Sequence, residues 1–191
     1  MKELQEDKLV SELKMGSESA FRDLVERYEK KVFSVGLSFV RNVEEAEDVC
    51  QEVFIEVFRA MRQFREESSL STWIYRIAVN KSLEFIRRKK VKKRFAMIAS
   101  LFGSDNSVMD IPDFKHPGLA LEDQEKGKIL FEAIAKLPEK QRAAFVLHHV
   151  EGLSYQEIAD VQKTTLSSVE SLIFRAKQNL RKLLYDFYKN N

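Results

Sequence analysis

Residues 152–173 read GLSYQEIADVQKTTLSSVESLI, and this stretch decides the fold of the C-terminal part of the chain. Ser154 is followed three residues later by Glu157, a spacing typical of a capping box at the start of a helix. That helix is predicted to end near Val161, and after a short polar break a long amphipathic helix covers about 166–188. Two helices joined by a tight break are typical of a helix-turn-helix.

The second helix of such a motif lies in the major groove of DNA, with its N-terminal residues at the base edges. The apolar seam between the two helices is predicted to contain Ile158, Ala159, Val169 and Ile173. The polar residues predicted to face the bases are Thr164, Thr165, Ser167, Ser168, Glu170 and Ser171. Further along the helix, Arg175 and Lys177 are placed to meet phosphates. An ordinary helical hairpin is the alternative for this pattern taken alone.

Apolar residues also recur with a helical period through most of the upstream sequence. A short helix is predicted at 6–14, and Ser17 can cap a second one. Asn42 can cap a third helix, with Glu45 as its capping-box partner. The inward stripe of that third helix is predicted to contain Ala46, Val49, Cys50, Val53, Val57 and Met61, with Phe54 and Phe58 beside it.

The outward side of the third helix is acidic over 44–56. The residues left near one exposed edge are Asp48, Gln51, Glu52 and Ile55. A solvated helix face is one interpretation of this edge, and a docking surface for a basic protein partner is the other.

A loop is predicted at 65–69, followed by a fourth helix at about 71–93. The first half of this helix is aromatic and apolar, and the second half is strongly basic with Glu84 as its acid. Rings beside cations are typical of single-stranded nucleic-acid binding, because bases stack on rings and phosphates pair with positive charge. A solvated charged face is the alternative. Burial in the core is favoured for Trp73, whereas Tyr75 is predicted to point elsewhere.

The helical period is lost over 95–121, where prolines, glycines and a polar run favour a linker. Two further helices are predicted, at 122–136 and from Pro138 to about residue 151. The chain is therefore predicted to be all-α, with two small helical domains at 1–94 and 122–191 joined by a flexible linker.

The composition, 44% hydrophobic and 32% charged, favours a globular protein over a disordered one. The formal net charge of +2 conceals an acidic and a basic segment, which indicates two different partners, one of them anionic. A single cysteine excludes an internal disulfide, and no uncharged run is long enough to span a bilayer. The N-terminus lacks a signal-peptide pattern, so we expect a soluble cytoplasmic protein with no membrane insertion.

Catalysis and metal binding have no support in the sequence. His148 and His149 are adjacent and are predicted to face different directions, and His116 lies in the linker. Cys50 lies on the apolar stripe, where a buried thiol is expected rather than a nucleophile. With no zinc ligand set and no glycine-rich phosphate loop, we predict no catalytic residues, no metal and no cofactor.

Four segments resemble a known family. Residues 44–54, EEAEDVCQEVF, are similar to the helix with which sigma factors grip the clamp helices of RNA polymerase. Residues 64–80, FREESSLSTWIYRIAVN, resemble the element of extracytoplasmic-function (ECF) sigma factors that reads and opens the −10 promoter region. Residues 137–142, LPEKQR, and 152–159, GLSYQEIA, resemble the start of the −35-binding domain.

This resemblance implies a bacterial transcription initiation factor that works when docked on core RNA polymerase and binds promoter DNA. An anti-sigma factor is a further implied partner. The implied polymerase contacts are Asp48, Gln51, Glu52, Phe54 and Ile55. The implied −10 contacts are Phe64, Ser69, Trp73, Tyr75, Arg76, Asn80, Lys81, Arg87 and Arg88. The implied −35 contacts are the polar and basic residues of the helix-turn-helix given above.

The chain departs from the family at the helix-turn-helix. The family turn commonly reads Leu-Gly-Ile-Pro where residues 162–165 are QKTT, and the family often carries Lys or Arg where this chain has Glu170 and Leu172. Either the −35 sequence is unusual or Arg175 and Lys177 carry more of the backbone contact. A glutamate can still accept a hydrogen bond from a cytosine amino group.

Two other classes of function stay open at this point. A free-standing helix-turn-helix regulator accounts for the C-terminal half and binds its operator without polymerase. A structural helical adaptor predicts no salt-dependent affinity for DNA.

Overall fold

The computed structural model describes residues 2–102 and 124–190, so most of the predicted linker lies outside the described residues. Every regular element in the described part is helical, which confirms the all-α prediction. The helices are α1 (Lys2–Lys14), α2 (Glu18–Val40), α3 (Val43–Ala60, followed by a 3₁₀ turn at Met61–Gln63), α4 (Leu70–Phe102), α5 (Gln124–Ala135), α6 (Glu139–His149), α7 (Tyr155–Gln162) and α8 (Leu166–Asn190).

Two of the predicted helix starts are capped by the expected side chains. Ser17 Oγ accepts a hydrogen bond from the Ala20 amide at 3.3 Å, and Asn42 Oδ1 accepts one from the Glu45 amide at 2.8 Å. The reciprocal half of the predicted box at α3 is absent, because the Glu45 carboxylate pairs with Lys89 on α4 instead. Long-range charge pairing therefore replaces one half of a local motif.

Helix α4 is longer than predicted at its C-terminal end. It begins at Leu70, where Ser69 Oγ accepts from the Thr72 amide at 3.2 Å and Glu6 of α1 accepts from the Leu70 amide at 3.0 Å. It then continues to Phe102, although the apolar period ends near residue 94. Residues 95–102, FAMIASLF, include Ala, Met and Leu, which have high helix propensity, so the helix can continue beyond the basic segment.

Helices α1–α4 form the N-terminal bundle, in which α2, α3 and α4 pack on one another and α1 packs on α2. The predicted α3 stripe is buried along its whole length. Helices α5–α8 form the C-terminal bundle, in which α6, α7 and α5 pack on α8. The buried seam between α7 and α8 contains Ile158, Ala159, Val169 and Ile173, as predicted.

The capping box at α7 is complete. The Ser154 amide donates to Glu157 Oε2 at 2.8 Å, and the Glu157 amide donates to Ser154 Oγ at 3.3 Å. Pro138 takes the cap position just before α6 rather than its first turn, and Gly152 adopts φ +72° just past the helix, as its position suggested. Local sequence chemistry thus sets the boundaries of the helix-turn-helix.

The turn between α7 and α8 contains a strained residue. Lys163 has φ +50° and ψ +54°, the left-handed region, and its amide donates to the carbonyls of Ala159 and Asp160. A residue with a Cβ is disfavoured there by about 1–2 kcal/mol. Thr165 Oγ1 then accepts from the Ser168 amide at 3.2 Å and starts α8.

Lys163→Gly is therefore expected to raise the free energy of unfolding by about 0.5–1 kcal/mol, because relief of the backbone strain exceeds the extra entropy of glycine in the unfolded chain. Urea denaturation followed by circular dichroism measures it. Lys182→Gly, at an exposed position inside α8, is the control and should lower stability by roughly 1 kcal/mol. A destabilised Lys163→Gly variant would contradict the strain argument.

Candidate nucleic-acid interface

The docking edge of α3 is formed by the residues predicted to contact polymerase, which are Asp48, Gln51, Glu52, Phe54 and Ile55. Four of these five residues face outward. Asp48 and Gln51 are exposed, Ile55 is 49% exposed, and Glu52 is half-buried. Phe54 is only 9% exposed, and its ring lines a groove between α2 and α3. Its assignment to polymerase binding stays a prediction.

The groove beside the docking edge has a volume of about 780 Å³ and mainly apolar walls. Phe33 of α2 and Phe54 of α3 contribute to it, and Cys50 lies at its side. Burial, with the nearby Glu29 and Glu47 carboxylates, raises the pKa of the Cys50 thiol to about 11. Cys50 is therefore a protonated, buried thiol at neutral pH, as the sequence predicted.

The basic half of α4 faces the acidic side of α3. Arg88 Nη2 lies 2.7 and 2.9 Å from the two carboxylate oxygens of Glu52, and Lys81 Nζ lies 3.4 Å from Glu56 Oε2. The cations predicted to bind DNA and the carboxylates predicted to bind a protein are thus partly paired with one another. Each such exposed pair contributes little to stability, about 0–1 kcal/mol.

The aromatic start of α4 is a packed ring pair. The rings of Phe64 and Trp73 have centroids 4.9 Å apart, with Phe64 buried and Trp73 half-buried. Trp73 thus takes a partly buried position, and Phe64 is not free to contact DNA in this structure. Ser69 is exposed but its hydroxyl caps α4. The loop at 65–68 remains accessible beside the ring pair.

Tyr75 and Arg76 are in contact with the C-terminal bundle. Tyr75 is 5% exposed, and its hydroxyl donates to Glu151 Oε2 at 3.1 Å. Arg76 donates from Nε to the Val161 carbonyl at 3.3 Å and from Nη2 to the Asp160 carbonyl at 2.7 Å. Tyr75 is thus buried against the C-terminal bundle in this structure, and its assignment to −10 DNA stays a prediction.

A second contact between the bundles lies further along α4. Arg87 donates from Nε to Glu139 Oε1 at 3.2 Å and from Nη2 to the other carboxylate oxygen of Glu139. Asn80, which lies on the same helix, is exposed. A cavity of about 360 Å³ lies between the bundles. It is lined by Arg76, Asn80 and Arg87 of α4 and by Lys140 and Lys163 of the C-terminal bundle. The structure thus gathers several predicted DNA contacts along one face of α4.

The start of α8 presents the polar surface that the sequence predicted. Ser167, Glu170, Arg175 and Lys177 are exposed, while Thr164, Ser168 and Ser171 are half-buried; Thr165 is exposed but its hydroxyl caps the helix. Sequence reasoning missed Phe174, which is 62% exposed on this helix. The sequence signal for its exposure was that Phe174 lies off the apolar stripe of the helix. A phenyl ring is suited to contact a thymine methyl group.

His148 and His149 are closer to each other than their adjacency suggested. They end α6, and their rings meet edge to face with centroids 4.7 Å apart, which corrects the prediction that they face different directions. His148 Nδ1 lies 2.8 Å from the Leu153 carbonyl, so this ring is engaged in holding the α6–α7 turn. No group of potential metal ligands occurs in the described part of the chain.

Comparisons with known proteins identify the family of this chain. A family model described as Sigma-70 region 2 matches residues 24–91, and one described as Sigma-70, region 4 matches residues 128–180. The ECF RNA polymerase sigma factor SigW of Bacillus subtilis is 32% identical over 187 residues, covering 96% of this chain and 99% of its own. This chain belongs to the ECF sigma-factor family.

Other relatives of this ECF sigma factor also match it over nearly their whole length. The RNA polymerase sigma-H factor of Pseudomonas aeruginosa is 36% identical over 184 residues, covering 94% of each chain. The ECF RNA polymerase sigma-E factor of Escherichia coli is 36% identical over 180 residues, covering 92% of each chain. Family membership therefore extends over nearly the whole sigma factor.

Two solved structures share the fold of this sigma factor. CnrH, solved in complex with the cytosolic domain of CnrY, superimposes with a TM-score of 0.66 at 23% identity, covering 95% of this chain and 97% of its own. The sigma factor RpoE of Bartonella quintana, solved with the anti-sigma factor NepR, gives 0.59 at 21% identity, covering 86% and 96%. Among the described residues, no helix has the length and apolarity to cross a membrane.

Proposed function

We propose that this ECF sigma factor binds core RNA polymerase through the docking edge of α3 and directs it to promoters through α4 and α8. The observation that carries the proposal is the presence of sigma regions 2 and 4, in that order, on one chain. The free-standing regulator is not favoured, because it leaves region 2 without a role. The factor acts by binding, and we assign it no catalytic residue, metal or cofactor.

The docking edge supports polymerase binding by its chemistry. Asp48, Gln51 and Glu52 present polar and acidic groups beside exposed Ile55, so a basic partner helix finds both charge and apolar contact there. Phe58, which is 58% exposed and edge to face with Phe21, extends the apolar part along α3. The groove behind this edge offers further room for a partner side chain.

The −10 element is assigned to the start and middle of α4. Flipped bases need a pocket and a stacking surface, for which the 65–68 loop and the Phe64–Trp73 ring pair are the candidates. Phosphates need cations, which Arg76, Lys81, Arg87 and Arg88 supply once their present partners are displaced. The −35 duplex is assigned to the exposed start of α8.

The domain division follows from these assignments. Residues 1–94 carry polymerase docking and −10 recognition, 122–191 carry −35 recognition, and 95–121 connect them. Because the proposed partners are core polymerase and promoter DNA, we propose that the factor acts in the cytoplasm. An anti-sigma factor that covers the docking edge or α4 is the implied negative regulator.

The test is transcription from a promoter library by core polymerase with and without the factor. We expect starts downstream of one shared pair of −35 and −10 motifs only when the factor is present. Glu170→Arg should change the preferred −35 bases, by roughly 1–3 kcal/mol per altered base pair, and leave the −10 motif intact. Asp23→Arg, at an exposed position on α2, is the control and should change neither motif. A change confined to the −10 motif would contradict the assignment of α8.

A further inference from the structure

A second cavity between the two bundles, the basic pocket, is lined by several cations. It has a volume of about 270 Å³ and lies where the end of α2 and the basic half of α4 meet α5 and α6. Its apolar walls include Phe39, Phe85 and Ile86. Its charged lining consists of five cations and one carboxylate, which are Arg41, Lys89, Lys90, Lys93, Arg142 and Glu45. A concave surface lined mainly by one sign of charge concentrates its potential, so the basic pocket attracts anions.

The positive charge of the basic pocket is balanced only in part by the chain itself. Lys89 is paired with Glu45. Among the residues that the structure describes, the cations of the pocket that form no ion pair are Arg41, Lys90, Lys93 and Arg142. Lys90 and Lys93 lie three positions apart on α4, so they are neighbours on one face of that helix. Like charges gathered in this way repel one another unless an anion lies between them.

The burial of Arg142 distinguishes the basic pocket from a solvated basic surface. Arg142 is 5% exposed, its guanidinium lies 4.7 Å from the centre of the Phe39 ring, and its Nε has no hydrogen-bond partner in the described part of the chain. Burial lowers the pKa of Arg142; the Glu139 carboxylate opposes this, and the charge of Arg41 adds to it. Glu139 itself accepts two hydrogen bonds from Arg87. A buried cation is costly unless it is paired, so an anion in the pocket lowers the cost of burying Arg142.

The size and the charges of the basic pocket favour a short, highly charged anion. A volume of about 270 Å³ is near the lower end for small-molecule sites. Phosphate oxygens accept paired hydrogen bonds from a guanidinium, and a lysine supplies a point charge to the same group. A single phosphate reaches only some of the unpaired cations, whereas a chain of linked phosphates can contact all of them. A DNA backbone can meet the exposed Lys90 and Lys93, but the buried Arg142 is accessible only to a group small enough to enter the pocket.

We propose that the basic pocket binds an oligophosphate, either inorganic or as the phosphate chain of a nucleotide. Arg142 binds the phosphates inside the pocket, and Arg41, Lys90 and Lys93 surround them. The site makes the factor sensitive to a small phosphorylated molecule in addition to its protein and DNA partners. This inference goes beyond the proposed function, because neither core polymerase nor promoter DNA takes part in it.

The first test is isothermal titration calorimetry of the full chain with inorganic triphosphate, at an ionic strength of about 0.15 M and without divalent cations. We expect saturable one-to-one binding and a melting temperature that rises with triphosphate concentration, because the ligand binds the folded state. Orthophosphate should bind at least about tenfold more weakly, because it makes fewer charged hydrogen bonds. Absence of saturable triphosphate binding overturns the proposal.

A parallel titration with ATP identifies the source of the phosphates. Equal affinities for ATP and triphosphate support a site for the phosphate chain alone. Tighter binding of ATP supports a site for a nucleotide, whose base then lies against the apolar wall. Binding of ATP that is no tighter than that of orthophosphate overturns the proposal, since the phosphate chain then contributes nothing.

The second test compares two pairs of substitutions on the same helix. Lys90→Gln with Lys93→Gln removes two cations from the pocket and should lower the affinity for triphosphate by at least about tenfold. Lys92→Gln with Arg94→Gln is the matched control, because both side chains are exposed on α4 and neither lines the pocket. The control should bind almost as well as the wild type. Equal losses in the two variants overturn the proposal, because they indicate attraction to the net charge of α4.

The third test removes the buried cation. Arg142→Met keeps a long side chain in the same place and should lower the affinity for triphosphate by at least about tenfold, while the melting temperature without ligand stays the same or rises. Circular dichroism checks that the helices are retained. Wild-type affinity in this variant overturns the proposal, because the ligand then binds outside the pocket. If Arg142→Met does not fold, the comparison of the two lysine-containing pairs decides.

Discussion

Replacing both Asp48 and Glu52 with arginine is expected to abolish association with core RNA polymerase while the chain stays folded. The two residues lie one helical turn apart on the docking edge of α3, so the substitution reverses the charge of that edge. Like charges placed opposite one another across an interface cost several kcal/mol. Loss of the Glu52–Arg88 pair costs the fold at most about 1 kcal/mol, because that pair is exposed.

A pull-down with purified core polymerase measures this loss, and circular dichroism confirms retained helix. The matched control is Asp23→Arg with Glu26→Arg, which makes the same charge change on α2 and should bind normally. Glu52→Gln alone breaks the ion pair with Arg88 without placing a positive charge on the docking edge. It therefore separates the loss of that ion pair from the effect of positive charge on the edge. Normal association by the double arginine variant would show that docking uses another surface.

Helix boundaries could be predicted from the sequence because they depend on local chemistry. Ser17 and Asn42 cap α2 and α3, and the Ser154–Glu157 box opens α7, each through hydrogen bonds that span three residues. The buried α3 stripe and the α7–α8 seam followed from periodicity, since a helix of known phase has only one face toward its core.

Contacts between distant residues could not be predicted in this way. The sequence indicated that Tyr75 points away from the core, but not that the C-terminal bundle occupies that side. Glu45 was expected to complete a capping box and pairs with Lys89 instead. Glu6 caps α4 across 64 positions of sequence. In each case a polar group had several chemically equivalent partners, and only the tertiary arrangement selects one.

The burial of Phe64 and Phe54 has a related cause. Both were assigned to partner contact by resemblance, and both have rings large enough to bury when a second ring or a groove is at hand. Their neighbours, the 65–68 loop and Ile55, are largely exposed. We therefore propose that the buried aromatics support the contact surface and that the adjoining residues form it.

Replacement of residues 65–67, Arg-Glu-Glu, by Ser-Gly-Ser is expected to eliminate promoter opening and leave polymerase association intact. Phe64 and Leu70 are kept because they are buried, and Ser69 is kept because it caps α4. The loop lies beside the Phe64–Trp73 ring pair, where it shares a cavity with Arg76 and the α7–α8 turn. Unstacking a base costs a few kcal/mol, so loss of the pocket that offsets this cost should reduce open complex by about a hundredfold.

Permanganate reactivity of thymines in the −10 region measures the opening, and a pull-down measures the association. Glu66→Gly is the control, because it suits the backbone φ of +57° at that position and removes only the ion pair with Lys14. It should open promoters nearly as well as the wild type, which separates loss of the loop's side chains from a change in its backbone. Undiminished thymine reactivity in the three-residue variant would place the base pocket elsewhere, and the next candidate is the cation-lined cavity around the exposed Asn80.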